Sequence, residues 1–191
     1  MAKNSYEVRW HARGGQGAKT AAALVAEVAL VEGKYSQGFP EYGPERMGAP
    51  IRGFTRIADT PIRTHSAVYY PDAVIVLDDT LLEIVDVAEN LSADGVVVVN
   101  TRISPDELKK KLSNHGKGVF QIDASQIALD EIGRNIPNTP MIGALVKASA
   151  CVQIDTVLED TKKKLGKKFS EKIVQGNLKA VQRGYEEVKQ V

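Results

Sequence analysis

The sequence contains a single cysteine, Cys151, among its 191 residues. One thiol cannot form an internal disulfide, hold an iron–sulfur cluster or complete a cysteine-based zinc site. Cys151 follows the apolar run Ala144–Ala150, so we expect it to be a small buried hydrophobic residue. If the protein takes part in electron transfer, the metal centres therefore lie on another chain.

Long apolar runs, excess charge and metal-ligand spacings are also lacking. No run approaches the roughly 20 apolar residues of a membrane helix, and the N-terminal MAKNSYEVRW lacks the apolar core of a secretory signal. A net charge of +1 argues against electrostatic binding to nucleic acid. The histidines, His11, His65 and His115, are scattered, and no serine has a nucleophile-elbow context. We expect a cytoplasmic protein with no membrane or nucleic-acid partner, no metal site and no catalytic residue of its own.

The first 137 residues alternate between strand and helix patterns. The predicted strands are Tyr6–His11, Ile51–Ile57, Ala73–Leu77, Val96–Val99 and Val119–Ile122, with Ile62–Tyr70 as an edge strand. The predicted helices are Ala18–Val31, Leu81–Ala88, Pro105–Asn114 and Ser125–Ile132. Strands that are apolar on both faces and separated by helices are typical of a parallel sheet covered on both sides. The pattern predicts an α/β fold with a doubly wound, mostly parallel sheet and helices on both faces (Rossmann-like).

The remaining residues show helical patterns and no strand pattern. The predicted helices are Pro140–Cys151, Asp155–Leu165 and Ser170–Lys189. Apolar residues of the last helix recur at spacings of four and three, at Val174, Leu178, Val181, Tyr185 and Val188. We predict one α/β domain over 1–191, with the sheet and its helices in 1–137. The helices of 138–191 pack on that sheet or on a partner. The lysine-rich stretch 162–168 is either a solvated face or a docking surface.

HARGGQGAKT, residues 11–20, is a glycine turn between the first strand and a buried helix. Such a turn lets backbone N–H groups converge at a helix N-terminus, where an anion is favoured, and Arg13 and Lys19 flank it. The turn is not a dinucleotide fingerprint, because Thr20 stands where the third glycine is needed and no acidic residue ends a second strand about 20 positions on. It is not a P-loop either. A tight turn that serves only helix–sheet packing is the alternative.

Residues 34–50 are predicted to form one long loop, which contains the start of the motif GFPEYGPERMGAPIRGF at 38–54. Three prolines and three glycines between Gly38 and Pro50 predict no regular structure there, and long ordered loops in compact domains are usually functional. Residues 9–63 carry eight basic and five acidic residues, which suits a diphosphate ligand, an acidic partner or a solvated face. Asp78 and Asp79 follow the carboxyl end of a predicted strand, where α/β proteins place their sites. We expect instead that Asp79 caps the next helix.

These stretches resemble those of a known family. The glycine turn, Gly43-Pro44-Glu45-Arg46 followed by Gly48-Ala49-Pro50, NTPMIGAL at 138–145 and NLKAVQRGYE at 177–186 resemble the gamma subunits of 2-oxoacid:ferredoxin oxidoreductases. Within that family the chain is most similar to the gamma chains of pyruvate:ferredoxin oxidoreductases (pyruvate synthases). The resemblance extends nearly from end to end.

The resemblance implies a subunit that is inactive alone. Family enzymes convert pyruvate, coenzyme A and oxidised ferredoxin to acetyl-CoA, carbon dioxide and reduced ferredoxin. The resemblance places thiamine diphosphate and the 4Fe–4S clusters on the alpha, beta and delta partner subunits, so ferredoxin is an indirect partner. It implies that this chain helps to form the coenzyme A and active-centre region. The implied binding residues are Gly14, Gly15, Gln16 and Gly17 as a backbone anion nest, with Glu45 and Arg46 in residues 43–50, which we call the signature loop. Glu45 and Arg46 could equally form an internal or intersubunit ion pair.

Two other functions stay open. The first is a purely structural assembly subunit of a related oxidoreductase that acts on a branched-chain 2-oxoacid, indolepyruvate or 2-oxoglutarate. The second is a free-standing NAD-binding dehydrogenase of similar fold, against which the missing third glycine argues.

Overall fold

A seven-stranded sheet runs through the computed structural model, which describes residues 4–41, 48–112 and 118–191. The strands are β1 (Tyr6–Arg13), β2 (Tyr35–Pro40), β3 (Pro50–Ala58), β4 (Ala73–Val76), β5 (Val96–Asn100), β6 (Gly118–Ile122) and β7 (Lys189–Gln190), in the spatial order β2-β3-β1-β4-β5-β6-β7. Strands β1, β4, β5 and β6 pair in parallel, while β3 and β7 run antiparallel to their neighbours. Strand β2 is antiparallel to β3 and therefore runs in the same direction as these four strands. Five strands thus share one direction, which confirms the predicted mostly parallel sheet.

Helices cover both faces of this sheet. They are α1 (Ala18–Val31), α2 (Pro105–Leu112), α3 (Ala124–Ile132), α4 (Asn138–Ser149), α5 (Ile154–Leu165) and α6 (Glu171–Glu187). Because side chains alternate along a strand, β4 divides its residues between two cores. Ile75 packs with α1 and α4 on one face, whereas Val74 and Val76 pack with Leu108 and Leu112 of α2 on the other. All of these β4 side chains are fully buried, as expected for a strand covered on both faces.

The prediction that residues 34–50 lack regular structure was wrong for β2. Its glycine is there because α1 lies close: a Cβ atom on Gly38 would be 2.6 Å from the carbonyl oxygen of Ala22. Pro40 is tolerated because β2 is an edge strand, where a missing N–H donor leaves no partner unsatisfied. Both residues look like loop residues in the sequence, but here they fit a strand pressed against a helix.

The predicted edge strand at Ile62–Tyr70 is also wrong. This segment has no regular structure and lies against the sheet, where Arg56 donates a hydrogen bond of 3.0 Å to the carbonyl oxygen of Ala67. Val68 is the buried residue of this segment, whereas Tyr69 and Tyr70 are exposed. The segment therefore buries only part of its apolar surface and adds no strand to the sheet.

Three further local features differ from prediction: a helix, its cap and a short strand. The expected helix Leu81–Ala88 is a short 3₁₀ helix, Asp79–Glu83, followed by turns. Its cap is Asp78, which accepts from the N–H of Thr80, and not Asp79. The side chain of Asp86 accepts from the N–H of Ala88 and competes with helix formation there. The two-residue strand β7 has no pattern of its own and exists only by pairing with β6.

Helices α4 and α6 cross at very short range. A Cβ atom on Gly143 would lie 2.0 Å from the carbonyl oxygen of Val181, and one on Gly184 would lie 2.0 Å from that of Pro140. In the apolar stripe of α6, Val174 and Val181 are buried against the rest of this chain, whereas Leu178 is only half-buried. Small residues at the crossing thus let α6 lie directly on α4.

Candidate functional site

The glycine turn lies at the carboxyl end of β1, where the strand order changes direction. From β1 the chain passes through α1 to β2 and β3 on one side, and later strands continue through β4 to β6 on the other. Open α/β sheets bind ligands in the crevice outside the carboxyl ends of strands at such a switch point. A ligand site is therefore expected at this edge of the sheet.

Glycine is required at two positions of the turn. Gly15 has φ of 100° and Gly17 has φ of 85°, a region that other residues enter only with strain. The N–H of Gly14 donates to Ala49 O (2.9 Å) and that of Gln16 to Arg13 O (3.1 Å). Within the described residues, no acceptor engages the N–H groups of Gly15 and Gly17. Of the four predicted nest residues, these two are thus the ones with available donors.

Side chains from the end of β1, from the turn and from the segment after β4 meet here. Gln16 Oε1 accepts from the N–H of Arg13 (2.8 Å), and Gln16 Nε2 donates to Asp78 Oδ2 (2.7 Å). Arg13 donates to the Thr80 hydroxyl from Nε (3.0 Å), and its Nε lies 3.6 Å from Asp78 Oδ2. Partial burial of Asp78 opposes its ionisation, but the hydrogen bonds from Thr80 and Gln16 outweigh it and hold the pKa below its ordinary value. Gln16 therefore links the end of β1 to the segment after β4.

The end of the signature loop, residues 48–50, lies directly against the glycine turn. Gly48 N–H donates to Gly14 O (3.2 Å), and the Arg13 guanidinium donates to Gly48 O (3.1 Å). Together with the bond from Gly14 to Ala49, these contacts join the end of the signature loop to the glycine turn. The predicted site residues Glu45 and Arg46 lie outside the described residues.

A cleft of about 320 Å³ opens on the β4 side of the turn. Three carboxylates line it, those of Asp78, Asp79 and Asp123, with Arg102 as the basic residue among its lining side chains. Asp123 pairs with Arg102 (2.6 Å), and Asp79 accepts from the hydroxyl of Thr101 (2.5 Å). This negative lining disfavours a phosphate in the cleft and favours hydroxyl or amide donors.

The α4 N-terminus supports the turn from behind, which the sequence analysis did not anticipate. The position of a Cβ on Gly17 lies only 2.6 Å from Asn138 Nδ2. Asn138 Oδ1 accepts from the N–H of Thr139 (2.9 Å), whose hydroxyl donates to Asn177 Oδ1 on α6 (3.2 Å). The motifs at 138–145 and 177–186 are thus linked to the glycine turn. In the sequence, only the resemblance of both motifs to the same family pointed to such a link.

Histidine and metal chemistry find no support in the described residues. Burial, with Arg9 and Arg52 nearby, lowers the pKa of His11 to about 3, so it is neutral at physiological pH. His65 is exposed, and His115 lies outside the described residues. Across 4–41, 48–112 and 118–191, no group of three His, Cys, Asp or Glu side chains could hold a metal ion. Cys151 is half-buried, and burial raises the pKa of its thiol to about 11.

None of the described helices is both long and apolar enough to cross a membrane.

The exposed Lys19 lies in the first turn of α1, which contains no acidic residue. A cation and available N–H groups therefore lie at the helix end of the turn, and carboxylates lie at its cleft side.

Comparison with known proteins gives a consistent result. A family model described as "Pyruvate ferredoxin/flavodoxin oxidoreductase" matches residues 7–187. The chain is 50% identical over 189 residues to pyruvate synthase subunit PorC of Thermotoga maritima, covering 99% of this chain and 97% of that one. It is 46% identical over 183 residues to the pyruvate/ketoisovalerate oxidoreductases common subunit gamma of Pyrococcus abyssi, covering 94% and 95%. The crystal structure of pyruvate oxidoreductase subunit PORC from Thermotoga maritima matches with a TM-score of 0.87 at 45% identity, covering 98% and 99%.

Proposed function

Because the chain belongs to the pyruvate ferredoxin/flavodoxin oxidoreductase family, we propose that it is the gamma subunit of a pyruvate:ferredoxin oxidoreductase. The complex converts pyruvate, coenzyme A and oxidised ferredoxin to acetyl-CoA, carbon dioxide and reduced ferredoxin. The observation that carries this proposal is the 50% identity to pyruvate synthase subunit PorC over 99% of this chain. In this proposal the chain works in the cytoplasm and is active only with alpha, beta and delta subunits.

The redox chemistry belongs to the partner subunits in this proposal. A single cysteine cannot supply the four thiolates of a 4Fe–4S cluster, so the clusters are assigned to the other chains. Thiamine diphosphate is assigned to them as well, because the sequence lacks the GDG-type motif that would hold it. Ferredoxin then receives electrons from those chains and contacts this one only indirectly.

The glycine turn is the part of this chain that we assign to coenzyme A. The diphosphate of coenzyme A would lie at the N-terminus of α1, where the N–H groups of Gly15 and Gly17 and the exposed Lys19 favour an anion. The adjoining cleft cannot share this role, because Asp78, Asp79 and Asp123 would repel phosphate. Uncharged amide or hydroxyl parts of the ligand suit that cleft better.

Glu45 and Arg46 complete the proposed site from the signature loop. The resemblance gives them the role of orienting this loop, and residues 48–50 connect it to the turn through Gly14. In this proposal the guanidinium of Arg46 supplies a cation to the diphosphate, as Arg–phosphate contacts do elsewhere.

The test is co-expression of this chain with the alpha, beta and delta subunits of its complex, followed by affinity purification through this chain. We expect a coloured iron–sulfur-containing complex that reduces ferredoxin only when both pyruvate and coenzyme A are present. A colourless chain that elutes alone would contradict the proposal. Replacing pyruvate with 2-oxoglutarate or a branched-chain 2-oxoacid in the same assay tests the substrate.

A purely structural subunit is the second candidate, and one observation favours it. Gly14, Gln16 and Arg13 are already engaged in bonds within the chain, so the turn serves packing whether or not a ligand binds. This function predicts that substitutions in the turn change only the amount of complex formed. The proposed function predicts a change in the KM for coenzyme A with the amount of complex constant.

A nicotinamide dehydrogenase is disfavoured by the sheet order as well as by the missing glycine. No acidic residue was predicted after a second strand, but β2 exists and Glu41 follows it directly. Glu41 nevertheless cannot take the ribose role, because β3 separates β2 from β1. It also forms a bidentate ion pair with Arg52, at 2.5 and 2.6 Å.

A further inference from the structure

Helices α5 and α6 form an apolar groove on the outside of the molecule. The groove has a volume of about 330 Å³ and is lined by Leu158, Glu159, Lys162, Leu178, Lys179 and Gln182. Leu158 and Leu178, both half-buried, are the two apolar residues among them. We call the surface formed by these six lining residues the α5–α6 groove.

The charge around the α5–α6 groove differs from that of the rest of the chain. Residues 161–182 contain seven lysines and one acidic residue. Since the chain has 25 basic and 24 acidic residues, 18 basic and 23 acidic residues remain elsewhere. The stretch 161–182 thus has a net charge of +6 and the rest of the chain −5. The whole hairpin, residues 154–187, has eight basic and six acidic residues, so the positive charge is concentrated in its middle part.

Most of these lysines are not neutralised within the chain. No carboxylate of the described residues forms an ion pair with Lys162, Lys167, Lys168, Lys172 or Lys179, all of which are exposed. Lys164, by contrast, contacts Glu27 on α1 and Asp160 on its own helix, and it helps to hold α5 in place. The unpaired lysines therefore have no structural role of that kind, and their charge is available to a partner.

We propose that the α5–α6 groove binds an acidic surface of a neighbouring subunit of the complex, an inference that rests on the proposed function. An apolar centre with a charged rim is the usual anatomy of a protein interface. Opposite charge on the partner steers the encounter and selects the correct surface. The apolar side chains Leu158 and Leu178 then lose their remaining contact with water when the partner covers them.

The charge pattern also selects among occupants. A second copy of this chain would place lysines opposite lysines across a two-fold interface, and like charges in an interface cost several kcal/mol. A nucleic acid would place phosphates against the two leucines of the groove, and phosphates offer no apolar surface that could bury them. An acidic protein surface with apolar side chains at its centre satisfies both features.

The experiment uses the co-expressed complex and three variants of this chain. The test variant is the double substitution K162E/K179E, and the control is Lys109→Glu on α2, an exposed lysine on the opposite side of the sheet. A third variant, K162R/K179R, retains the positive charge. Thermal unfolding of each isolated chain establishes that it folds. The measurements are the dissociation constant for the other subunits and amide hydrogen exchange of residues 158–182 with and without them.

We expect K162E/K179E to weaken association by about tenfold or more, while K162R/K179R and Lys109→Glu bind as the wild type does. Raising salt from about 50 mM to about 500 mM should weaken wild-type binding more than that of the double variant. Amides at 158–182 should be protected in the complex. Unchanged binding by K162E/K179E, unchanged exchange at 158–182, or self-association through this groove would overturn the inference. If the wild type binds no subunit at all, the proposed function itself fails.

Discussion

The side chain of Asn138 occupies the space that any side chain at residue 17 would need. Its Nδ2 atom is 2.6 Å from the position of a Cβ on Gly17, well inside van der Waals contact. This places the first residue of α4 against the N-cap of α1, on the protein side of the glycine turn. The turn is therefore held between the hydrogen bonds to Asp78 and Thr80 on one side and α4 on the other.

Gly17→Ala should destabilise the isolated chain by about 2 kcal/mol or more, because it adds both positive-φ strain and a clash. Asn138→Ala alone should cost about 1 kcal/mol through loss of the hydrogen bond that its Oδ1 accepts from the N–H of Thr139. In the double variant the clash disappears but the strain remains. Urea unfolding of all four proteins should thus give a double-variant cost smaller than the sum of the single costs. Strict additivity would mean that the two residues do not touch.

The α4–α6 crossing predicts a strong effect at Gly184. Gly184→Ala places a methyl group 2.0 Å from the carbonyl oxygen of Pro140, so the helices must separate. We expect a loss of about 3 kcal/mol in the free energy of unfolding. Gly53→Ala is the matched control, because its methyl group would lie at an ordinary 3.5 Å from the nearest atoms. Equal effects of the two substitutions in a thermal melt would contradict the close crossing.

Sequence patterns predicted features that depend on local residues. The strand β1, the turn after it and the buried helix α1 are neighbours in the chain, and alternation, glycine spacing and apolar periodicity identify them. Gly143 and Gly184 carry no such signal, because a helical glycine is informative only when the facing helix is known. The same holds for Gly38, which the sequence analysis assigned to a loop because it could not show that α1 lies against it.

The candidate site divides in the same way. Gly14 to Gly17 could be singled out because a glycine run between a strand and a helix has a known physical use. That Gln16 bonds to Asp78, or that Asn138 lies behind Gly17, depends on pairing between segments more than 60 residues apart. The resemblance indicated that residues 138–145 and 177–186 matter, but only the fold shows that they support the turn.

His11 should make the stability of the isolated chain depend on pH above the range in which carboxylates titrate. Burial lowers its pKa from 6.5 to about 3, so the unfolded state binds the proton first. Stability is therefore full above pH 6.5 and falls as the pH drops towards the folded-state pKa. Between pH 7 and pH 5 the loss should be about 2 kcal/mol. Urea unfolding of His11→Gln over the same pH range should lack this slope; a slope equal to that of the wild type would mean that another group is responsible.

Two glycines at opposite ends of α1 separate ligand binding from backbone strain. Gly15 and Gly33 both have positive φ, 100° and 78°, and neither has an atom within 4 Å of its Cβ position. Substitution by alanine should therefore cost each protein a similar amount, about 1 kcal/mol. In the assembled complex only Gly15→Ala should raise the KM for coenzyme A, because its methyl group enters the space where the diphosphate would approach the turn. An unchanged KM in both variants would favour the purely structural subunit.

Arg46 lies in the signature loop, outside the described residues, and its two candidate roles predict different kinetics. If it contacts coenzyme A, Arg46→Ala removes a charge-assisted hydrogen bond of about 1.5–3 kcal/mol. The KM for coenzyme A should then rise about tenfold or more in the purified complex, with the amount of this chain per complex unchanged. If Arg46 instead forms an ion pair with Glu45, Glu45→Gln should reproduce the effect of Arg46→Ala, and both should reduce assembly and leave the KM unchanged. Arg46→Lys retains the charge but not the planar geometry, so a partial KM effect in that variant would point to a bidentate contact with phosphate.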